Sequence, residues 1–286
     1  MRIAKTQGFT LTELVIVIVI MGILATVVSP LIANKFTTVH QSTQRAHWVQ
    51  QAEYALFQLR QDLANSVPNS IFVDASTEQV EFLGAPPTAQ LFVARYRDEP
   101  NLGRDLLQPN SDDKFDIFGD FTVQPTYVSI GTLNPVDMRT DWQKLQTNGT
   151  SGTLAKIQQM SKVAASAPTE TRITLAAVHN FGFGSPGSRA YFSNGPIAYD
   201  CNATDNLLYR ITEYDSLKLG DPFVLRTNPA VIANNRARVI DSLIFCRFEL
   251  LAGGTFSPPA LRISLTIGDS NGRIELIDTI LLSNGS

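Results

Sequence analysis

Hydrophobic and polar positions are segregated most sharply at the N-terminus of the chain. Residues 1–8 are polar and basic, with Arg2 and Lys5, and residues 14–33 contain no charged side chain. Twenty residues in a helix span about 30 Å, which matches the hydrocarbon core of a bilayer. The pattern therefore predicts a membrane-spanning helix. The basic residues before it predict that the N-terminus lies in the cytoplasm and the rest of the chain outside.

A second apolar pattern predicts that the helix continues beyond the membrane. Apolar residues recur at steps of three, four or seven, while Gln, Arg and Thr fill the other face. Pro68 should end the helix, because proline cannot donate to the backbone ladder and disfavours helix in the residue before it. We expect a rod from Phe9 to about Ser66, roughly 85 Å long. The predicted stripe consists of Phe36, Val39, Ala46, Val49, Ala52, Leu56, Leu59 and Leu63.

From Ile71 onward the pattern predicts short β-strands. The clearest is a C-terminal hairpin, in which residues 261–267 alternate apolar and polar and a turn leads into residues 273–282. Residues 97–170 predict long surface loops with one helical piece near 154–163, and a short helix is predicted from Asn228-Pro229 through Arg238. The other predicted strands are 79–83, 91–96, 172–178, 189–192, 207–214 and 242–251.

These patterns define the expected fold. The fold class is α+β, with a long N-terminal helix, half transmembrane and half amphipathic, packed on an antiparallel β-sheet head. Residues 9–33 are expected to form the transmembrane helix, 34–67 the amphipathic stalk helix and 68–286 the head.

Composition adds two constraints. The 23 Lys and Arg residues stand against 26 Asp and Glu, a formal net charge of −3, so no basic surplus indicates a nucleic-acid partner. The two cysteines are Cys201 and Cys246. A head outside the cytoplasm favours a disulfide between them, while two separate structural cysteines are the alternative. No C-x-x-C motif and no cluster with His indicates zinc.

The N-terminal run has three interpretations. A secretory signal would have a shorter apolar stretch that ends in small residues, whereas this run ends in Leu31-Ile32-Ala33-Asn34-Lys35. A plain membrane anchor leaves Glu13 unexplained, because a carboxylate costs about 2–3 kcal/mol when it is driven to mid-membrane. Cleavage between Gly8 and Phe9 explains it. The new amine would lie one helical turn from Glu13, which can pair with it or with the same amine of a neighbouring subunit.

The hexapeptide Gly8-Phe9-Thr10-Leu11-Thr12-Glu13, followed by the apolar run, resembles the class III signal of type IV prepilins. The resemblance implies that residues 1–8 are a leader, that a membrane peptidase cuts after Gly8, and that Phe9 is then N-methylated. Glu13 would serve in assembly. Pro30 falls where pilins commonly carry a helix-loosening proline, so a helix break is expected there. Thr12 stands where many members have Ile.

The resemblance also implies partners and a location. The expected partners are the prepilin peptidase, other major and minor pilins, the inner-membrane assembly platform and membrane lipid. We expect a single-pass protein of the inner membrane of a Gram-negative bacterium, with its head in the periplasm, that later moves into a pilus at the cell surface.

Catalytic and metal motifs are weak in this sequence. Residues 182–187 satisfy G-x-G-x-x-G, but a strand rather than a helix is predicted to follow, so a loop is expected. Aspartates at 112, 113, 116 and 120, and near Cys201, suggest calcium, although the spacing does not match an EF-hand and solvated loops are the prediction. We expect no enzyme activity, no cofactor and no metal.

Several downstream stretches resemble minor pilins of the MSHA (mannose-sensitive haemagglutinin) pilus. They are residues 63–70, 188–201, 208–210, 245–248 and the closing hairpin. The resemblance implies a low-copy subunit that helps to start or cap a pilus. The alternatives are a minor pseudopilin of a type II secretion system and a tip adhesin that binds a surface ligand.

Overall fold

The structure is a computed structural model that describes residues 10–84, 93–97, 112–121, 123–132, 134–163, 169–212, 214, 236–254, 257–270 and 272–282. The predicted cleavage site at Gly8 and Phe9 and most of the predicted helix at 228–238 lie outside these residues. The described helices are α1 (Leu11–Ala64) and α2 (Pro135–Gln146). The strands are β1 (Phe72–Val73), β2 (Gln79–Gly84), β3 (Val93–Arg95), β4 (Asp112–Phe118), β5 (Tyr127–Ser129), β6 (Leu154–Lys162), β7 (Glu170–His179), β8 (Arg189–Ser193), β9 (Gly195–Asn202), β10 (Leu207–Thr212), β11 (Arg236–Ile240), β12 (Leu243–Leu251), β13 (Ala260–Asp269) and β14 (Gly272–Leu281).

Helix α1 is continuous over 54 residues, about 80 Å. Thr10 is its N-cap, and its side chain and that of Glu13 form a reciprocal capping box. The helix continues through Pro30, where a break was predicted, so the proline does not end it. Proline removes one backbone donor, and a long helix can retain the hydrogen bonds on either side of it.

Among the described residues, the second half of α1 packs on the head, whereas the large apolar side chains of its first half are exposed. The buried face runs from Trp48 to Leu63, with Ala52 fully buried and Leu59 1% exposed. Phe36 and Val39 were predicted to belong to this stripe, but they are 71% and 62% exposed. The helical period of the stripe was predicted correctly. The residue at which the head begins to cover the stripe, however, depends on the tertiary structure.

The described strands form three antiparallel sheets. Their orders are β1-β2-β9-β10-β11, β12-β13-β14 and β3-β8-β5-β6-β7-β4. The α+β class with a long N-terminal helix and antiparallel sheets is therefore confirmed. The predicted C-terminal hairpin is also confirmed, since β13 and β14 pair from Ala260↔Leu281 to Asp269↔Gly272.

The two largest hydrophobic clusters of the described residues are a helix-backed part, which contains α1, and a part that contains no residue of α1. In the first, α1 residues from Trp48 to Leu63 pack with side chains of the five-stranded and three-stranded sheets, including Phe82, Tyr199 and Phe248. In the second, the six-stranded sheet buries a separate cluster around Phe115, Phe181 and Phe192. A smaller cluster places Met138 and Trp142 of α2 against Leu83 and Tyr127. We call the six-stranded sheet with α2 the distal lobe.

Predictions for the middle of the chain were wrong in several places. Residues 97–170 contain β4, β5, α2 and β6 rather than only loops. The helical piece predicted near 154–163 is strand β6, and residues 236–238 begin strand β11 rather than ending a helix. Cross-strand pairing decides the secondary structure of β6 and β11, whose local sequence pattern is weak. Strand β6 pairs with β5 and β7, and β11 pairs with β10, which satisfies their backbone hydrogen-bonding groups.

Candidate assembly segment and helix–head junction

Glu13 is directed toward the start of α1. Its Oε2 atom accepts hydrogen bonds from the backbone N–H of Thr10 at 2.9 Å and from the Thr10 hydroxyl at 2.9 Å. The backbone N–H of Glu13 donates in turn to the Thr10 hydroxyl at 3.4 Å. The carboxylate therefore lies against the residue next to Phe9, one turn from the position where cleavage would create an amine.

The apolar side chains that follow Glu13 form an exposed surface. From Leu14 to Leu24 the large apolar residues are between 44% exposed, for Val17, and 67% exposed, for Met21. Such a continuous apolar surface marks a site of interaction with another apolar surface. Among the described residues, no helix combines the length and the apolar character that crossing a membrane requires.

Ionic contacts fix the second half of α1 to the head. Asp62 accepts two hydrogen bonds from Arg210 of β10, at 2.6 and 3.0 Å, and a third from the Tyr199 hydroxyl of β9 at 2.7 Å. Burial and the Asp62 carboxylate raise the pKa of Tyr199, so its hydroxyl stays protonated and donates. A further ion pair joins Arg60 to Asp278 of β14 at 2.7 Å. The helix is thus held by both sheets of the helix-backed part.

The two cysteines join these same two sheets. Cys201 of β9 and Cys246 of β12 form a disulfide, with their Cα atoms 5.8 Å apart. The prediction of a disulfide is therefore confirmed. It links strands that come from different sheets and that the sequence separates by 45 residues.

A buried polar cluster, not found by sequence analysis, joins α2 to the first sheet. Arg139 pairs with Glu81 of β2, whose Oε1 atom also accepts from the Tyr214 hydroxyl at 2.6 Å. The guanidinium of Arg139 lies 3.9 Å from the centre of the Phe72 ring. Burial raises the pKa of Glu81 to about 7, although the charge of Arg139 opposes this shift. Nothing local in the sequence marks residues 58 positions apart as partners.

The candidate cofactor and metal residues lie in a connection between strands or in ion pairs within the head. The segment 182–187 connects β7 to β8, and a strand follows it, as predicted. Asp116 lies in β4 and pairs with Arg172 at 2.8 Å, whereas Asp200 pairs with Arg236 at 3.1 Å. Within the described ranges, no group of three or more His, Cys, Asp or Glu side chains is arranged to hold a metal ion.

Comparison with known proteins identifies one motif. Residues 3–29 match the prokaryotic N-terminal methylation motif. No curated protein and no solved structure shows significant similarity to the chain. The matched residues contain the Gly8–Phe9 junction, Glu13 and most of the exposed apolar segment of α1. This motif is a type IV pilin-like signal, which indicates a protein of the type IV pilin or pseudopilin type and implies processing by a prepilin peptidase and assembly with other pilins.

Proposed function

We propose that the chain is a minor pilin of an MSHA-type type IV pilus, which acts in pilus assembly and initiation or at the pilus tip. The methylation motif at residues 3–29 carries the filament assignment. The finer assignment is supported by the resemblance of residues 188–201 and 245–248 to the MSHA pilus biogenesis protein MshO. Those two stretches contain the disulfide partners Cys201 and Cys246.

This proposal assigns a role to each segment of the chain. Residues 1–8 are the leader, 9–33 insert in the inner membrane and later in the filament core, 34–67 form the stalk, and 68–286 form the periplasmic head. Membrane lipid, the assembly platform and the apolar helices of other pilins are the partners that cover the exposed residues of α1. The protein acts by packing and positioning rather than by catalysis.

Glu13 has a specific part in this proposal. Its contact with Thr10 shows that the carboxylate reaches the beginning of the helix. After cleavage it would neutralise the methylated amine of Phe9, either in its own chain or in the adjacent subunit. A carboxylate and an ammonium within about 4 Å attract each other far more strongly in an apolar bundle than in water.

Processing at Gly8 tests the proposal. The mature protein should begin at N-methylated Phe9, which mass spectrometry of the purified chain detects. Gly8→Ala should abolish cleavage, because the peptidase requires the smallest residue there. Gly22→Ala is the matched control, since a Cβ at Gly22 meets no atom within 4 Å, and it should be processed normally. A wild-type chain that begins at Met1 or Thr10 would contradict the proposal.

A pseudopilin of a type II secretion system would share this processing. Deletion of the gene separates the two functions: loss of surface pili with intact protein secretion supports a pilus subunit. Intact pili with lost secretion would assign the chain to the secretion system.

A further inference from the structure

The distal lobe contains a surface cavity of about 360 Å³. It lies between the C-terminal end of α2 and strands β5, β6 and β7, and its volume is within the range of about 300–1,000 Å³ that is usual for small-ligand pockets. Its wall includes the small side chains of the exposed Ala176 and Ala177, together with Ala155, which is 2% exposed and belongs to the hydrophobic cluster of the six-stranded sheet. The cavity thus combines a small, apolar lining with the polar end of a helix.

Three polar side chains line this cavity without an internal partner. Gln146, Asn148 and Lys156 form no side-chain hydrogen bond or ion pair with any residue that the structure describes. Lys156 lies opposite Tyr127 in the pairing of β5 and β6, so both side chains stand on the same face of the sheet. Amide groups and an ammonium at one surface offer several donors and two amide acceptors to a polar molecule.

The charges around the cavity favour an anion. No Asp or Glu is among the described residues that line it. The adjacent carboxylate, Asp141, is already occupied, because it accepts from the backbone N–H of Thr153 at 2.7 Å and pairs with Lys144 at 2.9 Å. In the described part of the chain no carboxylate neutralises the charge of Lys156. Lys156 is therefore the cation that the cavity offers to a ligand.

His179 supplies a neutral group beside this cation. It is 3% exposed, and Nε2 lies 3.1 Å from the carbonyl oxygen of Gly152. Burial lowers the pKa of His179, so the ring is neutral at neutral pH. Nε2–H then donates to the carbonyl, and Nδ1 remains an acceptor of the kind that a hydroxyl group satisfies.

From this combination we propose that the cavity binds a small carboxylate rich in hydroxyl groups, the chemistry of an acidic sugar. Lys156 would pair with the carboxylate, while Gln146, Asn148 and His179 would bond to hydroxyls, and the alanine lining would contact the apolar face of the sugar ring. This inference goes beyond the proposed role in a filament and does not depend on it. The cavity lies in the distal lobe, and none of its described lining residues belongs to α1.

The test measures binding to the purified full chain in detergent by calorimetry and saturation-transfer NMR. The probes are D-glucuronate and D-glucose, which differ only at C6, a carboxylate in glucuronate and a hydroxymethyl group in glucose. We expect a millimolar dissociation constant for glucuronate and at least about tenfold weaker binding of glucose, because one charge-assisted contact is lost.

Two pairs of variants locate the site. Lys156→Gln should weaken glucuronate binding about tenfold and leave glucose unchanged, whereas Lys162→Gln, on the same strand outside the cavity, should change neither. Ala177→Phe should abolish binding by filling the space, while Ala237→Phe, on the exposed part of β11, should not. Thermal unfolding of each variant reports whether it is folded.

Three results would overturn the inference. The first is no saturable glucuronate binding by the wild-type chain at about 10 mM. The second is equal loss with Lys156→Gln and Lys162→Gln, which would indicate general charge attraction. The third is unchanged binding by a folded Ala177→Phe, which would place the ligand elsewhere.

Discussion

The two halves of α1 have similar helical backbones and opposite surroundings. From Leu14 to Leu24, every large apolar side chain is at least 44% exposed, whereas Ala52 and Leu59 in the second half are 0% and 1% exposed. A helix with apolar side chains all around is suited to burial on every side, and one with a single apolar face is suited to packing on a sheet. In the described part of the chain the apolar surface of the first half is thus open to other apolar surfaces, whereas that of the second half is covered by the head.

The difference predicts that substitutions in the two halves have different consequences. Changes in the first half should alter processing and assembly while leaving the stability of the head intact. Changes in the second half and its contacts should lower the free energy of unfolding. The following experiments test this distinction, from the largest expected effect to the smallest.

Replacement of Glu13 should have the largest effect on assembly. Glu13→Val should still be cleaved but should almost disappear from filaments, because it cannot pair with the amine of Phe9. Immunoblots measure the amount of the chain in sheared filaments relative to that in whole cells. The thermal unfolding temperature of the purified chain should not change. Unchanged filament incorporation would remove the pairing argument.

Removal of the disulfide should have the largest effect on stability. Cys201→Ser with Cys246→Ser should lower the free energy of unfolding by about 4 kcal/mol in the chain-entropy model, since the bond closes a separation of 45 residues. Denaturant unfolding in detergent measures the loss. Addition of a reductant should destabilise the wild-type chain by a similar amount and leave the double variant unaffected.

The same side-chain deletion in each half of α1 provides a direct comparison. Leu59→Ala removes a side chain that is 1% exposed and should cost about 2–5 kcal/mol, because it leaves a cavity against the head. Leu24→Ala removes one that is 55% exposed and should change stability by less than about 0.5 kcal/mol. Equal losses in the two variants would show that both halves pack on the head.

Two glutamates extend the comparison to ionisable groups. Glu13 is exposed, whereas burial raises the pKa of Glu81 from 4.5 to about 7. The folded state therefore holds the Glu81 proton more tightly than the unfolded state. Protonation of Glu81 therefore stabilises the folded state. This stabilisation is complete below pH 4.5 and is lost as the pH rises through about 7, which lowers the free energy of unfolding by up to about 3 kcal/mol.

Glu81→Gln should remove this part of the pH dependence between pH 5 and 8. Glu275→Gln is the control, because its side chain is 64% exposed on β14. Unfolding by denaturant at several pH values measures both. If the free energy of unfolding of the wild-type chain rose with pH over this range in parallel with that of Glu81→Gln, the raised pKa of Glu81 would be contradicted.

Local pattern was sufficient for several elements of the head. The alternation of Leu261, Ile263, Leu265 and Ile267 predicted strand β13, and these four side chains are 0–2% exposed. Local pattern failed for α2, although its N-terminus carries a recognisable signal: Asn134 is the N-cap and Pro135 the first helical residue. Asn134-Pro135 carries the same signal as Asn228-Pro229, so the information on the start of α2 was present in the sequence.

Other features could not have been found in this way. The pairing of Glu81 with Arg139 and the cavity that contains Lys156 and His179 join side chains that the sequence separates by more than 20 residues. Each of these residues has an ordinary local pattern, and only the folded arrangement removes them from water or brings them to one surface. The prediction that Phe36 and Val39 pack on the head was wrong for the same reason, since period alone does not tell where a partner surface ends.

The sequence by itself determined the N-terminal methylation motif, with Gly8, Phe9 and Glu13 followed by an uncharged run, and the α+β class, and it favoured a disulfide between Cys201 and Cys246. These features depend on local chemistry and on periodicity, which a linear pattern records. The tertiary structure alone decided which half of α1 is covered, how Asp62 joins α1 to the five-stranded sheet, how the disulfide joins that sheet to the three-stranded sheet, and where the distal lobe leaves a cavity. Those outcomes depend on long-range packing, because burial and charge pairing arise only when distant strands come together.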